Sequence, residues 1–282
     1  MIKPLHGRKL AQPLRAKYTD LVERISAAGS ALVAFSGGVD SALVAGLAHQ
    51  ALGERALAIT ADSPAVPRLQ LQEARNFARA LGLRHRVIGT SEVEDPGYQR
   101  NAANRCFYCK SELYGKLLKL ARQQGLAVVF DGTNADDRGD HRPGMAAAFQ
   151  LGVRSPLLEA GLGKDEVREL SRRAGLPTWD KPASACLASR VAYGIRVTPE
   201  ILGRIEVGED ALRALGFRQF RVRHHGLLVR IEVAPDELPR ALEPRMAARF
   251  VSVFKELGYQ FVSLDLEGYR SGSLNAALAE KP

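Results

Sequence analysis

The sequence is poor in cysteine, in aromatic residues and in long apolar runs. Its three cysteines are an odd number, which argues against a disulfide framework. Aromatic residues make up only 6% of the chain, so a nucleic-acid surface would have few side chains on which bases stack. No segment approaches the roughly 20 uninterrupted apolar residues of a membrane span, and residues 1–15 lack the apolar stretch of a secretory signal. We therefore expect a cytoplasmic protein that does not bind membranes.

The formal net charge of +9 would suit a nucleic-acid partner. The arginines that produce this charge are scattered, however, and some fall on the solvent side of an expected helix, as Arg172 and Arg173 do. A scattered positive charge is equally typical of a solvated surface. We therefore predict that nucleic acid is not a partner.

Apolar runs that alternate with helical spacings predict an α/β fold with a parallel sheet. Strands are predicted at residues 31–35, 56–60, 84–88 and 126–130. Helices are predicted at residues 18–28, 40–52, 67–81, 111–124 and 164–174. Strands that alternate with helices of this length form right-handed βαβ units. We assign this pattern to a first domain at residues 1–180.

The pattern changes character near residue 200, which predicts a second, smaller α+β domain at residues 181–282. Apolar and polar residues alternate on both sides of Gly226, as they do in a β-hairpin. The elements predicted for this domain are helices at residues 199–215 and 240–257 and strands at residues 219–225, 227–233 and 261–266.

The segment Ser36-Gly37-Gly38-Val39-Asp40-Ser41 joins the first predicted strand to a helix. Two adjacent glycines allow a tight turn whose N–H groups approach an anion, and the helix adds the positive end of its dipole. Ser36 and Ser41 can donate hydrogen bonds to phosphate oxygens. Asp40 would reach phosphate through Mg²⁺, which prefers carboxylate and phosphate oxygens. An ordinary strand-to-helix turn could also contain two glycines, and the Walker A ending Gly-Lys-Ser/Thr is missing.

Two further segments follow predicted strands and offer polar groups to a nucleotide. Asp62 follows the second strand, at a sheet end where a nucleotide can lie. Thr133, Asn134 and Asp136 follow the fourth strand and combine hydroxyl, amide and carboxylate groups, as contacts to phosphate, ribose or Mg²⁺ require. Each segment could instead cap a helix, because Thr, Asn and Asp are good N-caps.

The string from Ser36 to Ser41, in the first βα loop of a parallel sheet, resembles the PP-loop of the ATP-pyrophosphatases. These enzymes have a Rossmann-like fold, which the resemblance implies for about residues 15–180. It also implies that ATP is cleaved between its α and β phosphates, that a carbonyl oxygen is adenylylated, and that pyrophosphate is released.

Two of the three cysteines are spaced as Cys106-x-x-Cys109 just before a predicted helix, and Cys186 lies in a predicted loop. Thiolates at a helix N-terminus bind soft metals. Three thiolates without a clear fourth ligand suit a 4Fe–4S cluster with one open iron. Structural zinc would need a fourth ligand, which His85 or His141 could supply. The plainest alternative is an incidental cysteine pair and a small buried Cys186.

Three strings together resemble the LarE-type sulfur transferases, which make the nickel-pincer nucleotide cofactor of lactate racemase; they are Cys106–Tyr114, Asp131–Asp137 and Lys181–Arg190. The resemblance implies that a carboxylate of pyridinium-3,5-biscarboxylic acid mononucleotide is adenylylated and its oxygen replaced by sulfur. Some members sacrifice the sulfur of the cysteine that matches Cys186. Others hold a 4Fe–4S cluster on three cysteines and carry an extra sulfide on the open iron. This chain has all three cysteines and so resembles the cluster type.

The resemblance also directs attention to basic residues of the second domain as a substrate site. Arg221 and Arg223 alternate on one face of a predicted strand and could clamp a phosphate or a carboxylate. Ser189, Arg190 and Glu209 are further candidates near the third cysteine. A solvated basic strand face is the alternative. The partners implied in addition are sulfide or an upstream sulfur donor and further copies of the chain.

Other functions remain open at this point. Some PP-loop enzymes that thiolate tRNA also use a three-cysteine 4Fe–4S cluster, although no added RNA-binding module is evident here. Amidation, as in NAD or GMP synthesis, would not need the cysteines. A nucleotide-sensing or iron–sulfur-sensing protein would bind the same ligands without turnover.

Overall fold

The computed structural model describes residues 10–139, 143–182 and 184–270. The described residues form two compact units. The first unit comprises the described residues up to Glu92 and those of Cys106–Ser184. The second unit comprises Val93–Arg105 and the described residues from Ala185 onward. The chain thus passes from the first unit to the second at Val93 and returns to the first at Cys106. The division into functional domains at residues 1–180 and 181–282 stays a prediction.

The first unit contains a parallel sheet flanked by helices, which confirms the predicted Rossmann-like α/β class. Within the described residues the sheet has four strands in the order β3-β2-β1-β4. Its strands are β1 Ala31–Ala34, β2 Ala56–Asp62, β3 His85–Gly89 and β4 Val128–Phe130. The helices along this part of the chain are α1 Gln12–Ala27, α2 Val39–Leu52, α3 Arg68–Leu81, α5 Arg105–Gln123, α6 Pro143–Gln150, α7 Pro156–Glu159 and α8 Lys164–Ala174.

Strand β1 lies at the centre of this unit because both of its faces are covered. Val33 packs in a core with residues of α1, α2 and α8, and its neighbour Leu32 packs in a second core that includes Leu57 and Leu117. Successive strand residues point to opposite faces, so a strand between two helical layers reads as a continuous apolar run. This explains why the buried run at residues 31–35 predicted a strand.

The second unit contains an α+β fold around a small mixed sheet. Among the described residues the strand order is β5-β6-β7, with β5 and β6 antiparallel and β6 and β7 parallel. Gly226 has a φ of 71° in the turn between β5 and β6, as the predicted hairpin requires. The elements are α4 Pro96–Gln99, α9 Pro199–Ala214, β5 Phe220–His225, β6 Leu228–Val233, α10 Leu238–Ala241, α11 Pro244–Glu256 and β7 Phe261–Leu264.

Three predicted helices differ from the observed ones by more than one residue. Helix α1 begins at Gln12 rather than at residue 18, because Pro13 is tolerated in the first helical turn. Helix α5 begins at Arg105, so the Cys-x-x-Cys segment lies inside its first turns and not before it. The single helix predicted at residues 240–257 is wrong: Pro244 cannot donate a backbone hydrogen bond and starts a separate helix.

Among the residues that the structure describes, no helix is both long enough and apolar enough to cross a membrane.

Candidate functional site

The loop after β1 is a tight turn that ends on the N-terminus of α2. The hydroxyl oxygens of Ser36 and Ser41 lie 3.0 Å apart, and the N–H of Ser36 donates to Ser41 Oγ at 3.2 Å. Gly37 has a φ of +75°, and a Cβ there would lie 3.1 Å from the Cβ of Ala74. Gly38 occupies the N-cap of α2 in an extended conformation. The predicted phosphate loop therefore requires glycine at position 37 and presents both serine hydroxyls together.

Two side chains from outside this loop donate hydrogen bonds to its carbonyl oxygens. Gln70 Nε2 donates to the carbonyl of Ser36 at 3.2 Å, and Lys181 Nζ donates to the carbonyl of Gly37 at 3.1 Å. In a planar trans peptide the C=O and the following N–H point in opposite directions. The N–H groups of Gly37 and Gly38 therefore point away from Gln70 and Lys181. Nothing in the sequence connects Gln70 with the loop.

The loop after β4 lies against the loop after β1, because the two strands are neighbours in the sheet. Asn134 Nδ2 donates to Asp40 Oδ1 at 3.2 Å. A Cβ on Gly132 would lie only 2.7 Å from the backbone nitrogen of Ser41, so only glycine allows this approach. Parallel strands place their carboxyl ends at one sheet edge, where α/β proteins bind ligands. The structure thus brings together Asp40 and Asn134, two residues that the sequence placed in separate nucleotide segments.

A lysine that the sequence analysis missed connects the acidic residues of this edge. Lys164 begins α8; its Nζ lies 2.5 Å from Asp40 Oδ2, and its backbone N–H donates to Asp136 Oδ2 at 2.6 Å. The side chain of Asp40 is 19% exposed and that of Lys164 is 32% exposed. The carboxylate of Asp40 therefore remains within reach of a ligand. The only signal in the sequence was a charged residue at the start of a predicted helix.

The hydroxyl of Thr133 is occupied within its own loop. Thr133 Oγ1 donates to Asp131 Oδ2 at 2.9 Å, and its backbone N–H donates to Asp131 Oδ1 at 3.1 Å. Asp131 is buried and also accepts from the hydroxyl of Tyr114 at 3.0 Å. These bonds fix the turn from which Asn134 reaches Asp40.

Asp62 ends β2, at the same sheet edge, but its carboxylate has a different partner. Arg68 Nη1 lies 2.5 Å from Asp62 Oδ1, and the same guanidinium donates to the carbonyl of Val66 at 2.8 Å. Both side chains of the pair are more than a third exposed. Asp62 therefore stabilises the turn after β2, and its contact with ATP stays a prediction.

Cys106 and Cys109 lie one turn apart at the start of α5. Neither is in a disulfide; Cys106 is exposed and Cys109 is partly buried. The ammonium group of Lys110 lies 5.5 Å from the centre of the Tyr114 ring. Interaction with the phenol of Tyr114, and then with Cys109, Asp131 and Cys106, raises the pKa of Lys110, although burial opposes this shift. A positive charge therefore lies near the pair, and a neighbouring lysine is one of the features of sites where thiolates form.

The third cysteine precedes a short 3₁₀ turn in the second unit. Cys186 is the N-cap of the turn Leu187–Arg190 and is a partly buried free thiol. Arg190 Nη1 donates to the carbonyls of Ala185 at 2.6 Å and Cys186 at 3.0 Å. Its Nε donates to Glu209 Oε1 at 2.9 Å in an almost fully buried ion pair. Arg190 and Glu209 thus hold the turn that begins at Cys186, which we name the Cys186 turn (residues 185–192).

Two of the basic residues predicted to bind substrate differ in their surroundings. Arg223 donates to the carbonyl of Ser189 at 3.1 Å and pairs with the buried Glu232 at 2.8 Å. Arg221 instead packs on the ring of Tyr269, 4.8 Å from its centre, and among the described residues it hydrogen-bonds no carboxylate. Burial and then the charge of Arg190 lower the pKa of Arg221. Arg221 is thus the better placed of the two to accept an anionic ligand.

The remaining predicted site residues have local partners or fall outside the described chain. The hydroxyl of Ser189 accepts from Arg190 Nη1 at 3.1 Å. His85 Nε2 lies 2.8 Å from Thr60 Oγ1, and burial lowers its pKa. His141 lies outside the described residues. Within the described part of either unit, no group of three or more His, Cys, Asp and Glu side chains is arranged to hold a metal ion.

Comparison with known proteins relates these sites to two groups of enzymes. The NAD synthase family profile matches residues 12–103. The chain is 31% identical over 163 residues to one subunit of the glutamine-hydrolyzing GMP synthase of Methanococcus maripaludis, a match that covers 52% of this chain and 50% of that one. The match to the NAD synthase profile includes the segment Ser36–Ser41.

Two relatives match nearly the whole chain. An uncharacterized protein of Synechocystis is 44% identical over 267 residues, 95% of this chain and 100% of the relative. The pyridinium-3,5-bisthiocarboxylic acid mononucleotide synthase of Lactiplantibacillus plantarum is 34% identical over 268 residues, 95% of this chain and 96% of the relative. This second similarity includes the Cys186 turn and the loops after β1 and β4, which we name the nucleotide loops (residues 36–41 and 131–137). The chain therefore belongs to the LarE-type family of pyridinium-3,5-bisthiocarboxylic acid mononucleotide synthases and is an ATP-dependent sulfur-transferring enzyme.

Proposed function

We propose that the chain adenylylates a carboxylate of pyridinium-3,5-biscarboxylic acid mononucleotide and converts it to a thiocarboxylate, releasing AMP and pyrophosphate. The observation that carries this proposal is the junction of the two loops at the edge of the parallel sheet. There Asn134 donates to Asp40, and Gly132 leaves room for the backbone of Ser41. Membership of the synthase family supplies the choice of substrate.

The nucleotide loops would bind the triphosphate of ATP. The N–H groups at the start of α2 and the hydroxyls of Ser36 and Ser41 suit phosphate oxygens. The carboxylate of Asp40 already has a cation, the ammonium of Lys164, at 2.5 Å. Because this position favours positive charge, Asp40 fits Mg²⁺, which would neutralise the departing pyrophosphate. Asp62, Thr133 and Asp136 would complete the ATP site from neighbouring loops.

The reaction needs activation because a carboxylate is a poor electrophile. A carboxylate oxygen of the substrate attacks the α-phosphorus of ATP, and pyrophosphate leaves. A sulfur nucleophile then attacks the acyl carbon, and AMP departs with the original carboxylate oxygen. Arg221 would hold the anionic substrate, with Ser189, Arg190, Glu209 and Arg223 around it, as the family resemblance implies.

The sulfur would come from a 4Fe–4S cluster held by Cys106, Cys109 and Cys186. The chemistry of the donor set suits such a cluster, since none of the three cysteines is in a disulfide and Lys110 provides a positive charge near the first two. When bound, the cluster would supply sulfide as the nucleophile. Lys110 would then stabilise the two thiolates of α5, and Arg190 would fix the backbone that carries the third.

Metal analysis of anaerobically purified protein tests the cluster. About four irons and at least four labile sulfides per chain are expected, and Cys106→Ala should lose them. Tyr108→Phe is the matched control: it changes the same turn of α5 but keeps both thiols, so it should retain iron. Zinc in place of iron, or no iron after anaerobic reconstitution, would reject the cluster. Loss of sulfur at Cys186, seen by mass spectrometry after turnover, would show a sacrificial donor instead.

Pyrophosphate release from ATP tests the substrate. It should depend on the pyridinium mononucleotide, and sulfide should yield the thiocarboxylate product. Release that depends on tRNA and weakens steeply with salt would favour a tRNA thiolase. Release that depends on ammonia would favour amidation, and no release with any substrate would favour a sensor.

A further inference from the structure

The Cys186 turn has more side-chain support than its own residues provide. A four-residue 3₁₀ turn is not stable alone, so its shape depends on outside partners. Arg190 and Arg223 hold the carbonyls of Ala185, Cys186 and Ser189. The carbonyls of Ala188, Val191 and Ala192 accept instead from Asn101 and Arg105, which belong to the segment Val93–Arg105 of the same unit.

Asn101 is placed for this contact at a conformational cost. Its φ is 52°, in the left-handed region that non-glycine residues rarely adopt, although asparagine tolerates it best. It is fully buried, and its Nδ2 donates to the carbonyls of Val191 at 3.2 Å and Ala192 at 2.9 Å. Its own carbonyl accepts from the N–H of Gly194 at 3.3 Å. A strained residue whose amide and carbonyl both bond to one segment indicates that the contact is specific.

Arg105 completes the same network. It is almost fully buried, and its Nη1 donates to the carbonyl of Ala188 at 2.9 Å and to Oδ1 of Asn101. Because the amide oxygen of Asn101 accepts from Arg105, the amide nitrogen must face the carbonyls of Val191 and Ala192. Arg105 thereby fixes the orientation of Asn101 as well as the middle of the turn.

We propose that Asn101 and Arg105 are positioning residues that hold the sulfur of Cys186 in its reactive orientation. The inference rests on the proposed function, in which this sulfur holds the cluster or is itself transferred. Arg190 and Arg223 bond the carbonyls of residues 185, 186 and 189; Asn101 and Arg105 bond those of residues 188, 191 and 192. Without the hydrogen bonds from Asn101 and Arg105, we expect the turn to rotate about those that remain. A small misplacement of a reacting group can lower the rate about a hundredfold.

The alkylation rate of Cys186 measures the freedom of this turn without any substrate. The full-length, reduced, iron-free chain is treated with iodoacetamide, and each cysteine-containing peptide is followed by mass spectrometry. Asn101→Gly keeps the positive φ but removes the side-chain amide. Arg105→Lys keeps the charge but removes the guanidinium, whose Nη1 donates to Asn101 and to the carbonyl of Ala188. Arg196→Ala is the control, because exposed Arg196 bonds Gln99 of the same segment and no carbonyl of the turn.

Losing a hydrogen bond from a buried charged or amide donor should raise the alkylation rate of Cys186 about tenfold in both variants. The rates of Cys109 and of the Arg196→Ala control should not change. In the sulfur-transfer assay kcat should fall while KM for ATP stays at the wild-type value.

An unchanged alkylation rate of Cys186 in Asn101→Gly, or an equal rise in the rate of Cys109, would overturn the proposal. If Arg105→Lys fails to fold by circular dichroism, Asn101→Gly decides alone. A wild-type chain that forms no thiocarboxylate would contradict the proposed function and leave the alkylation result standing.

Discussion

The nucleotide loops of the first unit and the Cys186 turn of the second use charged residues in opposite ways. Around the phosphate loop, Asp40 and Lys164 form a pair whose side chains are partly exposed. Around the Cys186 turn, Arg190 pairs with Glu209 and Arg223 with Glu232 in almost complete burial. Partly exposed partners can exchange for a ligand, whereas removing one partner of a buried pair leaves an uncompensated charge. A partly exposed pair suits a region that binds and releases a ligand, and buried pairs suit a region that holds one geometry.

Glu209→Gln should have the largest effect on stability. It leaves Arg190 buried without its counter-ion and should lower the free energy of unfolding by about 3–5 kcal/mol, measured by urea denaturation. Asp236→Asn is the matched control, because its pair with Arg218 is highly exposed and should contribute less than about 1 kcal/mol. Equal losses in the two variants would remove the distinction between buried and exposed pairs.

Asp40→Asn should have the largest effect on catalysis. The amide can still contact Asn134 but carries no charge for Mg²⁺, so kcat for pyrophosphate release should fall about a hundredfold or more. The free energy of unfolding should change little, because the Asp40–Lys164 pair is partly exposed. Asp165→Asn, one residue beyond Lys164 and exposed, should leave kcat unchanged. A stability loss as large as that of Glu209→Gln would place Asp40 among the structural pairs.

Gly132→Ala tests the close approach of the two nucleotide loops. The added Cβ would lie 2.7 Å from the backbone nitrogen of Ser41, so the loops must separate. We expect a loss of about 1–3 kcal/mol in stability and a raised KM for ATP. At Gly115, within α5, an added Cβ meets nothing within 4 Å, so Gly115→Ala should stabilise by about 0.5–1 kcal/mol. Unchanged KM in Gly132→Ala would separate this contact from ATP binding.

The smallest expected effect is a pH dependence in the second unit. Burial, and then the charge of Arg204, lowers the pKa of His224, whose Nδ1 lies 3.1 Å from the hydroxyl of Tyr259. Below the ordinary pKa of histidine, about 6.5, His224 binds a proton in the unfolded chain more readily than in the native chain. The free energy of unfolding should therefore fall between pH 7 and 5.5, and the fall should be smaller in His224→Gln. Equal losses in both proteins would contradict the assignment.

The loops that we propose to bind phosphate could be recognised in the sequence because their determinants are local or follow from strand order. Glycines in the first βα loop and polar residues after the fourth strand must meet when parallel strands lie side by side, and Asp40 and Asn134 do so. Lys164 was missed because its contact with Asp40 spans 124 residues of sequence. That contact depends on how α8 packs on α2, which no local pattern reports.

The surroundings of the Cys186 turn could not be predicted from residue types. An arginine can bind a substrate phosphate or a buried glutamate equally well, and only the fold placed Glu232 beside Arg223. The left-handed conformation of Asn101 was equally hidden, since asparagine is also common in ordinary turns. The start of α5 was missed because cysteines carry no helix-capping signal.

Isotope transfer from the substrate carboxylate to AMP tests the central claim most directly. The substrate is prepared with the heavy oxygen isotope in its carboxylates and incubated with the protein, ATP, Mg²⁺ and sulfide. Adenylylation followed by sulfur attack predicts one heavy oxygen in each AMP released and a sulfur in place of that oxygen in the product. Unlabelled AMP beside a sulfur-containing product would show that the carboxylate is not activated through its oxygen on the α-phosphate, and would contradict the account.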